Sequence, residues 1–129
     1  MNVIIGISLA TIFRMLLGMA WYSQGAFGPA WIKSIKISAK DIKQKDAQIA
    51  LLGGLITSII ISAMLSCLVT RLAIQSVVSG FLLGLSVWFG FVATNGIGGI
   101  LWEKKSLQWF VITTGYECVA YALSGIIIT

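Results

Sequence analysis

Apolar residues fall along this chain in four long blocks, approximately 2–22, 47–70, 73–100 and 107–128, and polar residues collect between them. A helix rises about 1.5 Å per residue, so about 20 residues cross the ~30 Å hydrocarbon core of a bilayer, and each block reaches that length. Period-two alternation is absent, and the blocks are too long for buried strands, so a barrel does not fit. The pattern predicts an all-α, polytopic membrane protein: one domain, 1–129, with four transmembrane helices in an antiparallel bundle.

The segment between the first two blocks, 23–46, carries a pattern of its own. Pro29 suits the first turn of a short helix, Pro29–Ile37, with Trp31, Ile32 and Ile35 on one side and Lys33 and Lys36 towards the other. Such a helix is expected to lie along the membrane surface with its lysines at the lipid headgroups. Ser38-Ala39-Lys40-Asp41 then reads as a capping box, opening a helix that continues into the second span.

Small residues at four-residue spacing mark the faces where membrane helices approach closely. The second span carries Ala50, Gly54, Ser58, Ser62 and Ser66, and the third carries Ser76, Gly80 and Gly84. The short connection around Arg71–Gln75 predicts that these two form a tight antiparallel hairpin. In the first span Gly6, Ala10 and Gly18 share the spacing, and Arg14 occupies the missing place, which predicts that it faces a neighbouring helix. The tract Asn95-Gly96-Ile97-Gly98-Gly99 predicts a fray or break late in the third span, since glycine weakens a helix.

Composition agrees with the pattern. Of 129 residues 58% are hydrophobic and 10% charged, too few charges for the polar shell of a soluble domain. The net charge of +5 does not point to nucleic acid, because the basic residues gather beside the spans. Seven of them (Lys33, Lys36, Lys40, Lys43, Lys45, Lys104 and Lys105) lie in the loops 23–46 and 101–106, against Arg71 alone on the opposite side. The positive-inside rule then predicts both loops in the cytoplasm and both termini outside, in a cell membrane expected to be prokaryotic. The first block lacks the basic start of a cleavable signal peptide and is expected to stay as a helix. Trp21, Tyr22, Trp31, Trp102 and Trp109 fall at the loop-side boundary, where aromatic rings favour the headgroup region. With no histidine, and with Cys67 and Cys118 both inside spans, neither a cofactor nor a disulfide is expected.

Arg14 and Glu117 are the charges placed within the membrane. At ~1.5 Å per residue they lie ~12 Å and ~16 Å from the loop-side ends of the first and fourth spans, close enough in depth to meet. Thr57 and Ser58 reach nearly the depth of Glu117, with Thr94 and Asn95 somewhat nearer the loops. Thr113, Tyr121 and Ser124 share the helix face of Glu117. These residues predict a polar layer to which every span contributes. Two main readings of it stand open, beside a minor one in which Arg14 snorkels toward the inner headgroups. One is a structural ion pair holding the first and fourth helices in register. The other is a titratable or cation-binding Glu117 with Arg14 as counter-charge or anion contact.

Trp21-Tyr22-Ser23 followed by Phe27-Gly28 and Trp31, then Trp88-Phe89-Gly90-Phe91-Val92-Ala93, then Gly115-Tyr116, resemble the small integral-membrane family known as domain of unknown function 1761. The resemblance spans nearly the whole chain and departs at Gln24, where the family pattern has proline. It implies four membrane helices and no established activity, and Arg14 and Glu117 are not among the residues that carry it. The expected function is the binding or conduction of a small ion or solute through the polar layer of a homo-oligomer in contact with membrane lipids. The alternative is a structural or accessory protein that meets lipids or a larger membrane complex through its basic loop and aromatic belt. With no nucleophile–base pair or metal cluster in view, an enzyme is not expected. The predicted topology is checked with a membrane-impermeant maleimide on intact cells, in a variant lacking Cys67 and Cys118: a cysteine at Thr129 should be labelled and one at Ser34 should not, and the reverse result overturns the orientation.

Overall fold

The computed structural model describes residues 2–35 and 44–129. Its helices are α1 (Val3–Trp21), α2 (Gly28–Ser34), α3 (Gln44–Arg71), α4 (Val77–Val87), α5 (Thr94–Trp102) and α6 (Leu107–Ile128). A π-helical segment, Trp88–Ala93, joins α4 to α5, so these three pieces form one continuous span. Four stretches are long and apolar enough to cross a membrane: Val3–Trp21, Lys45–Arg71, Val77–Trp102 and Leu107–Ile128.

Local chemistry accounts for where the helices begin. Asn2 caps α1 by accepting from the Ile4 amide at 2.8 Å. Ser76 accepts from the Ser79 amide at 3.1 Å to open α4, and Ser106 from the Trp109 amide at 3.0 Å to open α6. Pro29 lies in the first turn of α2, as expected, though this helix ends at Ser34 rather than Ile37. The Ser38–Asp41 capping box lies outside the described residues. The chain reverses after α3 with Ala73 at φ 53° and before α6 with Lys104 at φ 58°.

α6 is the axis of the bundle. It packs along α1, α4 and, less extensively, α3, while α1 also lies along α3. The expected tight hairpin of the second and third spans does not form, since α3 and α4 touch little. A short connection holds two helix ends together but does not choose which faces meet. Surface shape makes that choice. Gly80 and Gly84 fit against Gly125 and the Tyr121 carbonyl of α6, and a Cβ on any of the three would strike backbone. On α3 it is Ser58, Ser62 and Ser66 that are buried, and Ser58 Oγ donates to Met15 Sδ on α1 at 3.7 Å. Ala50 is exposed and Gly54 has nothing within 4 Å, so only the half of the α3 stripe nearer α4 is an interface.

The irregularity in the third span also falls elsewhere than expected. Asn95–Gly99 is regular helix, and the departure is the π segment one turn earlier. A π segment inserts an extra residue per turn and so rotates everything after it. Without it, the Gly80–Gly84 face would continue through Trp88 and Phe91 to Asn95. With it, the inward positions become Ala93, Gly96 and Gly99, while Phe91 and Asn95 turn outward.

Because the α4–α6 contact depends on missing side chains, Gly84→Val should cost about 1–3 kcal/mol, the usual penalty of overpacking, in a detergent unfolding titration. Gly53→Ala, in open space on α3, should be neutral or stabilising by up to about 1 kcal/mol.

Candidate functional site

Gly6, Ala10 and Arg14 form a buried stripe on α1, so the arginine does face its neighbours and not the surroundings. Its Nη2 donates to Glu117 Oε2 at 2.8 Å, linking α1 to α6. The two side chains are buried unequally, 3% exposed for Arg14 and 28% for Glu117. Around the pair, the guanidinium carbon lies 5.1 Å from the centre of the Tyr121 ring and 5.8 Å from that of Tyr116. These distances suit cation–π attraction. Tyr116 also donates its hydroxyl to the Arg14 carbonyl at 2.8 Å, and Gly18, one turn further on, leaves room for that hydroxyl.

Two indoles continue the stitching. Trp21 Nε1 donates to the Ile112 carbonyl at 3.0 Å, and Trp88 Nε1 donates to the Thr114 carbonyl at 2.8 Å. Both bonds tie a neighbouring span to α6. Beside them, Tyr22 meets Trp31 edge-on at 5.4 Å and Tyr116 at 5.7 Å, which seats α2 on the loop end of the bundle.

The pair is singly bonded. A guanidinium carries five N–H donors, yet Arg14 Nε and Nη1 are buried without a hydrogen-bond partner. The hydroxyls of Thr11, Ser62 and Ser124 share that condition. Such groups are rare in folded proteins, because an unmade bond leaves the desolvation cost uncompensated.

A family model described as "Protein of unknown function (DUF1761)" matches residues 5–129. The chain belongs to the DUF1761 family. No curated protein and no solved structure matches it.

In this DUF1761 protein the residues expected to form the polar layer separate into two groups. Arg14, Glu117, Tyr121 and Ser58 come together or line the adjoining helix seam. Thr57, one residue from Ser58, is rotated by a helical step to the outside, where its hydroxyl donates to the Gly54 carbonyl. Asn95 is turned outward by the π segment, and Thr94 donates to the Gly90 carbonyl. Thr113 spends its hydroxyl on the Trp109 carbonyl of its own helix. The layer therefore draws on α1, α3 and α6 but not on the third span.

The expected interface residues also divide. Trp102 is 86% exposed and Lys33 is exposed, as a membrane-surface role requires. Trp109 is half-buried against Gly99, and Trp21 is bonded into the bundle. Lys36 lies outside the described residues. Sequence reasoning missed the roles of Tyr116 and Thr11. A signal for Tyr116 existed in the family pattern Gly115-Tyr116 beside Glu117, whereas nothing in the sequence singles out Thr11.

Tyr116→Phe keeps the ring beside Arg14 and removes only the hydrogen bond, so it should cost about 1 kcal/mol in a detergent unfolding titration. Tyr116→Ala should cost about 3 kcal/mol or more.

Proposed function

We propose that this protein binds or conducts a small ion or solute within the membrane, through the layer formed by Arg14, Glu117 and Tyr121. The single bond between the two charges carries this reading. A pair that serves only as a fastening gains most from bidentate geometry, with two nitrogens on two oxygens. Here one oxygen engages one nitrogen, Nε and Nη1 are left over, and Glu117 keeps a partly open carboxylate. That arrangement suits a site whose partner is exchanged.

The protein works as a homo-oligomer in this reading. A carboxylate facing hydrocarbon is costly, and a second copy over the exposed side of Glu117 would remove that cost. The setting is a prokaryotic cell membrane, with both termini outside and the basic loops 23–46 and 101–106 in the cytoplasm, and the chemistry is binding or passage rather than catalysis.

A second reading, a structural or accessory membrane protein, also has an observation in its favour. The Tyr116 hydrogen bond joins α1 to α6 at the level of the ion pair, and the Trp21 bond joins them again nearer the loops, as a fastening would.

Flux into proteoliposomes separates the two. Wild type should move protons or small ions under an imposed gradient, and Glu117→Gln and Arg14→Ala should each lower the rate at least tenfold (order of magnitude) while remaining monodisperse. Absence of flux in wild type under every gradient ends the transport reading. If, in addition, the two single charge reversals misassemble and the double reversal recovers, the pair is a fastening.

A further inference from the structure

At the end of the bundle that holds both termini, a cleft of about 340 Å³ opens between α1, α3 and α6, lined by Asn2, Gly6, Ser66, Thr70, Gln75 and Thr129 among others. Two of its lining residues begin rows that run inward. On α1 the row passes from Gly6 through Ala10 to Arg14. On α3 it passes from Ser66 through Ser62 to Ser58, which contacts Met15 beside Arg14. Each row descends about 12 Å in about two turns. α6 supplies a third wall, from Ile128 at the cleft through Ser124 to Tyr121 and Glu117.

What this seam holds is unusual for the inside of a membrane protein. Ser66, Ser62, Ser58, Thr11 and Ser124 are all at least nine-tenths buried. Of these, Ser62, Thr11 and Ser124 keep hydroxyls with no partner, and at the inner end stand the unpartnered Nε and Nη1 of Arg14. Leaving so many buried polar groups unpaired is costly, and a ligand that accepts hydrogen bonds would relieve it. Each of these groups can donate, and a buried guanidinium repels cations. The chemistry is that of an anion site.

Charge restricts how the anion arrives. Arg14 and Glu117 neutralise each other, so an anion alone would leave a net negative charge at depth. A proton taken from solution by the Glu117 carboxylate restores neutrality and frees Arg14 for the anion. The ionisable groups near Glu117 are Arg14 on α1, Tyr22 just after its end, and Tyr116 and Tyr121 on α6, while α3 presents serines and α2 keeps Lys33 exposed. Between the cleft and Ser62 stands an apolar plug: Leu65, 2% exposed, clustered with Ala10, Val69 and Ile128.

We infer that the α1–α3–α6 seam is a route by which a small monovalent anion, accompanied by a proton, passes from the terminal end of the bundle to Arg14, with Leu65 as its gate. This rests on the ion-binding reading above and names its substrate class.

The full chain in proteoliposomes containing a pH-sensitive dye, with the membrane potential clamped, tests it. An inward chloride gradient should acidify the interior, and an equal gradient of gluconate, too bulky for the seam, should not. Leu65→Ala should raise the rate severalfold, a gain that misfolding would not produce. Ser62→Leu and Arg14→Gln should lower it about tenfold. In a Cys67→Ser, Cys118→Ser background, Ser66→Cys should react faster with an anionic thiol reagent than with a cationic one, and chloride should slow the anionic reaction. Proton or cation flux that is indifferent to chloride overturns the anion route while leaving the ion-binding reading standing. No flux with any ion, and Ser66→Cys labelling indifferent to reagent charge and to chloride, overturns both.

Discussion

A buried arginine in a membrane span must be answered by the helices around it, and much of this structure is that answer. Arg14 lies 3% exposed with one carboxylate bond to Glu117, so α1 and α6 are held in one register. The register explains features that look unrelated along the chain. Gly18 leaves room for the Tyr116 hydroxyl that reaches the Arg14 carbonyl, and the rings of Tyr116 and Tyr121 come close to the guanidinium from the same helix. An ion pair taken out of water need not add net stability, since desolvation offsets the attraction. Its clearer effect is to penalise every arrangement in which the two charges are apart.

With α1 and α6 so placed, the remaining spans settle by shape. α4 approaches α6 where Gly80, Gly84 and Gly125 remove side chains from both surfaces. α3 lies along α1 through its serines, leaving α6 as the axis touched by all the others. In lipid this is the expected currency of association, because apolar side chains gain nothing by leaving hydrocarbon for a neighbouring helix. The π segment then allows one span to present two different faces. Its first half packs by glycine, and its second half, rotated, offers Gly96 to Phe110 and Thr114 and sends Asn95 out of the bundle.

The functional reading follows from an imbalance in this packing. Donors gather where α1, α3 and α6 meet, and Glu117 is the only carboxylate that faces them among the described residues. A seam rich in buried hydroxyls and ending in a guanidinium has the character of a place prepared for an acceptor. Evenly packed apolar side chains would have closed the same seam at less cost, and the proposed ion-binding role rests on that difference.

The helical class, the four spans and the inward setting of Arg14 were all legible in the linear order of residues. Length against bilayer thickness decides the first two, and the cost of an exposed charge decides the last. Depth was legible too: Arg14 and Glu117 meet because their distances from the helix ends match. Rotation was legible only in part. The small-residue stripe placed Ser58 on a packed face, but Thr57 beside it was assigned to the same layer, and whether Gly96 or Asn95 faces inward turns on a step of one residue, about 100° around the helix axis. The partner of each small-residue stripe was equally hidden, since glycine rows on α4 and serine rows on α3 advertise close contact without naming its other side. Only the assembled bundle decides those matters, because they depend on which surfaces fit once all the helices compete for the same neighbours.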